Sequence, residues 1–207
     1  MNSLQSTFLA LTRQFTPNVS SCEKLWDEIA ACYSEHGRHY HTLRHLEYML
    51  YELQAVKASL HDPDAVLFAL YYHDIIYAPG SDNNEEESAD LAAARLAEIS
   101  CPSPRIQKVV QMILATKDHA ASGDSDTDFL TDADLSLLGV SKAEYRVLSS
   151  QIRQEYARYP APVYHAGRKQ VLRHFLSMPQ IFKTRHFYEK FEGRARENLE
   201  GELRGFS

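Results

Sequence analysis

The fold is decided by one apolar segment, residues 62–76, with the sequence DPDAVLFALYYHDII. Asp62 followed by Pro63 is typical of a helix N-cap and of the first helical position. The residues that follow are apolar on every side of a helix, so this segment is predicted to be a buried central helix. It ends in His73 and Asp74, and a charged carboxylate buried there needs a partner or a cation.

Apolar residues recur at helical spacing along most of the remaining chain. Before the central segment, this spacing predicts helices at about 4–15, after Ser20 or Ser21, and from Tyr40 or His41. After it, helices are expected at about 85–99, following a cap within 82–84, and at about 106–116. A further helix is expected to start at Asp132 and Asp134, another at a Ser141 cap, and the last two at about 165–176 and 186–203. No strand competes with these helices. We therefore predict an all-α fold, a single globular helical domain of about nine helices.

Composition limits the class of partner. The 207 residues contain 22 Lys and Arg against 28 Asp and Glu, a formal net charge of −6. This balance disfavours a DNA or RNA surface, and no run approaches the ~20 apolar residues of a membrane span. Three cysteines without CxxC spacing disfavour a disulfide framework and a thiolate zinc site. We expect a soluble, cytoplasmic protein that makes no membrane contact.

Histidines and aspartates form a second pattern. His41 and His45 stand four residues apart, a spacing that suits one metal ion or, equally, a solvated helix face. His73 and Asp74 favour a metal site or a capped helix end whose Asp74 is satisfied by an arginine. Asp132 and Asp134 suit metal ligation or the N-terminal dipole of a helix. Together these residues supply nitrogen and oxygen ligands for a divalent transition metal.

Four segments carry a family resemblance. They are RHYHTLRH at 38–45, YHDIIY at 72–77, NEEESA at 84–89 and LTDADL at 130–135. In this order they resemble the HD superfamily of metal-dependent phosphohydrolases, and in particular a predicted subfamily with an RxYHxxxH opening. The resemblance covers about 38–139 and extends through 185–203. It implies one HD-type domain over 1–207, with a metal-site core at 38–139 and C-terminal helices at 140–207 packed on it.

The resemblance implies one metal ion per chain, chosen among Mn, Co, Ni, Fe and Zn. The family's ligands match His41, His73, Asp74 and Asp134. Asp132 is the rival for the last place. Asp134 is preferred because, like the family's closing aspartate, it follows a small residue and precedes the apolar part of its helix.

Three further residues are candidates for substrate binding. His45 lies one turn beyond His41 and is expected to face the same cavity. Arg38 is a nearby cation that could hold a phosphate, although an exposed side chain is an equally good interpretation. His119 is the one extra histidine between the HD pair and Asp134, where two-metal members of the superfamily carry several, so one metal ion is favoured.

Three residues are candidates for catalysis. Glu85 or Glu86 is predicted to orient or deprotonate the attacking water, as a glutamate after the HD pair does in some members. The alternative for both is stabilisation of a helix N-terminus. Lys117 is predicted to offset charge on the phosphoryl group, with an exposed side chain as its alternative.

The resemblance therefore predicts a hydrolase that cleaves a phosphate ester of a small substrate, such as a nucleotide. One alternative is an HD-type di-iron oxygenase, like inositol oxygenase, which needs more ligands than His119 can add. Another is a nonenzymatic regulatory module that binds a nucleotide. Arg194 or Arg196 could reach a phosphate or a partner in a homodimer, and a solvated face explains both equally well.

Overall fold

The structure, a computed structural model, describes residues 3–206 and confirms the all-α prediction. Within this range there is no strand, and ten α-helices are joined by loops and by the short 3-10 turns Lys57–Ser59 and Ser136–Gly139. The helices are α1 (Ser3–Thr12), α2 (Val19–Cys32), α3 (Leu43–Ala55), α4 (Pro63–Tyr72), α5 (Asn84–Glu98), α6 (Ser103–Ala115), α7 (Ser125–Leu135), α8 (Lys142–Glu155), α9 (Ala161–Ser177) and α10 (Arg185–Gly205). The predicted number of about nine is close to the ten observed.

The described helices divide between two compact units. The first unit ends at Thr131 and the second begins at Asp132, so the division falls within α7. The expected packing of residues 140–207 on a metal-site core stays a prediction.

The first unit is built around α4, as the apolar segment predicted. The Asp62 carboxylate accepts a hydrogen bond from the Ala65 amide, and Pro63 opens the helix. Seven of the ten residues of α4 are buried, and the helix packs against α3, α5 and α6. It ends at Tyr72, earlier than the apolar run suggested, with His73 at the C-cap. The His73–Asp74 pair therefore lies just beyond the end of a buried helix.

Helix α7 begins earlier than the sequence suggested. Asp124 lies in a Gly, Ser and Asp-rich stretch that was expected to be a loop, but its carboxylate accepts a hydrogen bond from the Thr127 amide. Asp126, in the first turn, accepts hydrogen bonds from the amides of His61 and Asp62. The two predicted ligand candidates of this segment, at positions 132 and 134, are consequently in the last turn. The expectation that they stabilise a helix start was wrong.

The second unit is centred on α10, which packs against α8, α9 and the 3-10 turn Ser136–Gly139. A Cβ atom at Gly139 would lie 2.6 Å from the Phe191 Cβ, so only glycine allows this close approach. Asn198 donates hydrogen bonds to the carbonyls of Leu138 and Val140 on either side of it. The turn is thus tied to α10 by both packing and hydrogen bonds.

Three local features of this unit bear on the sequence predictions. The predicted cap of α8 is confirmed, because Ser141 and Glu144 form a reciprocal capping box. Arg194 donates a hydrogen bond to the Gly139 carbonyl, and Arg196 pairs with Glu192 at 2.7 Å. Both arginines therefore have structural contacts, and their use towards a phosphate or a second copy of the chain stays a prediction.

None of the helices in residues 3–206 is long and apolar enough to cross a membrane.

Candidate metal centre

Three side chains of the first unit form a group that could hold a metal ion. They are His45 on α3, His73 at the C-cap of α4 and Asp74 beside it, and their ligand atoms all lie within 4.8 Å of one another. His45 and His73 are 2% and 1% exposed, while the Asp74 side chain is 17% exposed. Two imidazole nitrogens and one carboxylate oxygen form a donor set suited to divalent transition metals.

The orientation of the His73 ring indicates why a cation fits there. Its Nδ1 lies 2.9 Å from the Leu70 carbonyl oxygen, which can only accept, so Nδ1 donates. In the neutral ring the other nitrogen, Nε2, then carries a lone pair, and it lies 3.1 Å from Asp74 Oδ2. A lone pair and a carboxylate oxygen repel at this distance unless a proton or a metal ion compensates. The arrangement fits the metal that the family resemblance implies.

The predicted placement of His41 and His45 on one helix face was wrong. Thr42 is the N-cap of α3 and the helix starts at Leu43, so His41 precedes it. His41 nevertheless lies close to the pair, with its Nε2 3.9 Å from Asp74 Oδ2 and its ring 4.1 Å from that of Tyr77. The structure therefore adds His45 to the candidate ligands. The ligand role of His41 stays a prediction.

Arg38 holds the backbone that carries the His73–Asp74 pair. It is 9% exposed, and its Nη1 and Nη2 donate to the carbonyls of Asp74 and Ile75 at 2.6 and 2.8 Å. The guanidinium lies over the rings of Tyr33 and Tyr77, at 5.1 and 5.5 Å from their centroids. Tyr33 also accepts a hydrogen bond from the Asp74 amide. Arg38 thus has a positioning role that the sequence did not indicate, and its predicted contact with substrate stays a prediction.

The NEEESA segment ties the residues after Asp74 to the start of α5. The Asn84 side chain both accepts from the Ala78 amide and donates to its carbonyl. One turn later, the Ser88 hydroxyl accepts a hydrogen bond from the Ile76 amide. Asn84 and Ser88 both belong to the NEEESA segment of the family resemblance. Their spacing of four residues on one helix face was the available sign of a shared partner.

The two predicted catalytic glutamates lie in different surroundings. Burial raises the pKa of Glu85, and the negative charge of Asp74 adds to the rise. Glu86 is exposed, and its hydrogen bond with Lys117, at 2.5 Å, lowers the pKa of Glu86. Lys117 also donates to the Asp82 carbonyl. Glu85 therefore lies within the electrostatic influence of the candidate centre, whereas Glu86 and Lys117 form a surface pair whose catalytic roles stay predictions.

His119 and Asp134 lie outside the three-residue group. His119 follows α6 in a left-handed conformation, with φ of 54°, and its amide donates to the Ala115 carbonyl. Asp134 is a half-buried residue of the last turn of α7 and belongs to the second unit. The substrate role of His119 and the ligand role of Asp134 both stay predictions.

Asp132, the rival of Asp134, anchors the start of α10 within the second unit. It is fully buried and accepts hydrogen bonds from the amides of Lys183 and Thr184 and from the Thr184 hydroxyl, at 2.7–2.9 Å. The Lys183 ammonium lies 3.4 Å from it. Burial raises the pKa of Asp132 although these partners oppose the rise. Its oxygens therefore have a structural use.

Comparison with known proteins adds no relative to this description. No family model, no curated protein and no solved structure matches the chain. The HD-superfamily resemblance accordingly depends on the four sequence segments alone.

Proposed function

We propose that this protein is a metal-dependent phosphohydrolase of the HD type. The observation that carries the proposal is the approach of His73 Nε2 to Asp74 Oδ2 at 3.1 Å, with Nδ1 of the same ring committed to the Leu70 carbonyl. A metal ion compensates this approach, as a proton on Nε2 also would, and the HD resemblance favours the metal ion. The HD resemblance then supplies the reaction, hydrolysis of a phosphate ester.

His45, His73 and Asp74 would hold one divalent ion, taken from Mn, Co, Ni, Fe and Zn. His45 and His73 are buried, so bulk water does not solvate their nitrogens and these atoms are available to replace water ligands of the ion. When bound, such an ion lowers the pKa of water and polarises a phosphoryl oxygen. The family resemblance also implies His41 as a ligand.

Glu85 is the residue of this chain best suited to accept the proton of the attacking water. Burial raises the pKa of Glu85 above that of an exposed carboxylate. General bases are most effective when their pKa is near the working pH, and the rise is in that direction. The water oxygen forms the new bond to phosphorus while the bond to the leaving oxygen breaks. Arg38 contributes by fixing the backbone of Asp74.

The test is a phosphatase assay of metal-reloaded protein against a panel of nucleotides and simple phosphate monoesters. Glu85→Gln should retain the metal and lower turnover by about 100-fold or more, the usual contribution of a general base. Glu87→Gln is the matched control, because Glu87 is an exposed residue of the same helical turn. Wild-type turnover in Glu85→Gln would remove this residue from the mechanism.

Failure of every phosphate ester would overturn the proposed activity itself. If the metal-loaded protein instead contained two irons per chain, oxygen chemistry would replace hydrolysis as the proposal. Nucleotide binding at the metal centre without any turnover would favour the nonenzymatic regulatory module.

A further inference from the structure

A second site lies in the second unit, in an open groove between α8, α9 and the end of α10. The groove has a volume of about 440 Å³ and is lined, among others, by Arg146, Ser149, Arg153, Tyr164, His165 and Phe206. The α8 residues at 146, 149, 150 and 153 are spaced three, four and seven apart, so they share one helix face. A groove of this size fits a small organic ligand.

Two arginines supply positive charge to this groove. The Arg146 side chain is exposed and makes no hydrogen bond or ion pair with another residue of the described chain. Arg153 is held in place, because its guanidinium donates to the carbonyls of Tyr156 and Tyr159 and lies 4.6 Å from the centroid of the Tyr164 ring. One cation is thus preset and the other is available to a ligand.

The carboxylate that lines the groove does not cancel this charge. Glu202 is bound by Arg168 through two hydrogen bonds of 2.9 Å, and it also accepts from the hydroxyls of Tyr145 and Ser149. Both side chains of this ion pair are 9% exposed. The groove therefore has an excess of positive charge in a protein whose formal net charge is −6. An anion is the ligand that this charge distribution favours.

Aromatic rings lie beside the arginines. The rings of His165 and Phe206 have centroids 4.8 Å apart, and Phe206 is the C-cap of α10. Any nucleobase can stack on aromatic rings of this kind. Arginine pairs with phosphate through two parallel hydrogen bonds. We infer that the groove binds a mononucleotide, with its phosphate on Arg146 and Arg153 and its base against His165 and Phe206. This site consists of residues of the second unit alone and does not depend on the proposed phosphohydrolase activity.

The test is isothermal titration calorimetry of the full chain in chelator, with AMP, ribose 5-phosphate and inorganic phosphate as separate ligands. One AMP should bind per chain, and Arg146→Gln should weaken this binding about tenfold or more, the usual effect of losing one charge-assisted hydrogen bond. Arg173→Gln is the matched control, since Arg173 is an exposed arginine of the same unit without a partner in the described chain, and it should bind as the wild type does.

Two further variants separate the outcomes. Asp74→Ala should leave AMP affinity unchanged, whereas Phe206→Ala should weaken AMP binding severalfold and leave ribose 5-phosphate binding as it was. The inference is overturned if AMP does not bind or if Arg146→Gln binds it like the wild type. It is also overturned if AMP binds only to metal-reloaded protein and Asp74→Ala abolishes that binding, which would assign the nucleotide to the metal centre. Equal affinity for AMP and ribose 5-phosphate would contradict a base-stacking site.

Discussion

Two carboxylates of this protein, Glu202 and Asp74, are both largely removed from solvent, and their partners differ in kind. Glu202 pairs with the Arg168 guanidinium and two hydroxyls, whereas Asp74 Oδ2 faces the Nε2 atoms of His73 and His41 at 3.1 and 3.9 Å. An arginine closes the first site with the protein's own charge. Imidazole nitrogens can share a cation with a carboxylate, so the second arrangement is suited to ligand binding. The two carboxylates therefore differ more in the chemical type of their partners than in their exposure to solvent.

The largest expected effect comes from breaking the ion pair of Arg168 and Glu202. Arg168→Met should lower the free energy of unfolding by about 3–5 kcal/mol, because it leaves the Glu202 charge buried without its cation. Arg185→Met is the control, since Arg185 pairs with Glu189 at an exposed site of the same unit. Urea unfolding checks both. A small loss in Arg168→Met would show that the pair is not the structural element described here.

At the candidate metal centre, removal of the Asp74 charge should affect the free energy of unfolding much less. Asp74→Asn should leave the stability of the metal-free protein within about 1 kcal/mol of the wild type or raise it, because the variant replaces a charge facing imidazole nitrogens by an amide that can donate. Urea unfolding in chelator is the measurement. A loss as large as that of Arg168→Met would mean that Asp74 is a structural carboxylate.

Arg38 should affect both the free energy of unfolding and the metal affinity of the candidate metal centre. Arg38→Met should lower the free energy of unfolding by about 2 kcal/mol, because the carbonyls of Asp74 and Ile75 lose their donors. Metal affinity should fall about tenfold or more, as it does when groups that orient a ligand are removed. Competition with a coloured chelator measures the affinity. Unchanged affinity in a destabilised variant would contradict the positioning role.

The sequence was a good guide where one local signal decided the outcome. The Asp62–Pro63 start and the continuous apolar run predicted the buried α4, and Ser141 with Glu144 predicted the cap of α8. The start of α7 was missed because the Asp124 cap lies in a stretch whose composition is typical of a loop.

The candidate site was harder to predict because long-range contacts form it. The positions of His73 and Asp74 followed from the end of α4, but the inclusion of His45 depends on where α3 begins. Arg38 was identified as a cation for phosphate, and nothing near it in sequence indicated that it binds carbonyls 36 and 37 residues away. Only tertiary structure shows such a partner.

Acid should weaken the ion pair of Arg168 and Glu202, because protonation removes the charge of Glu202. Burial alone would raise the pKa of Glu202, but the hydrogen bonds and charge of Arg168 outweigh it, so the pKa is lowered. A lowered pKa in the folded state contributes stability above the unfolded value of about 4.3, and this contribution is lost as the pH falls through the folded pKa. Unfolding measured from pH 6 downward should therefore be less acid-dependent in Glu202→Gln. Identical pH profiles would contradict the lowered pKa.

The smallest effect is expected at the surface pair of Lys117 and Glu86. Both side chains are more than 40% exposed and solvent screens their attraction, so Lys117→Gln should leave the free energy of unfolding close to that of the wild type. Metal affinity should be unchanged. Thermal unfolding and chelator competition check these outcomes, and a large loss in either would show that this pair supports the candidate centre.

The central claim, a metal centre at His45, His73 and Asp74, is tested most directly by elemental mass spectrometry of purified, metal-reloaded protein. Asp90→Ala is the matched control for Asp74→Ala, since Asp90 is an exposed aspartate on α5. About one Mn, Co, Ni, Fe or Zn ion per chain should be found in the wild type and in Asp90→Ala and be absent from Asp74→Ala. Full metal content in Asp74→Ala, or no metal in the reloaded wild type, would contradict the account.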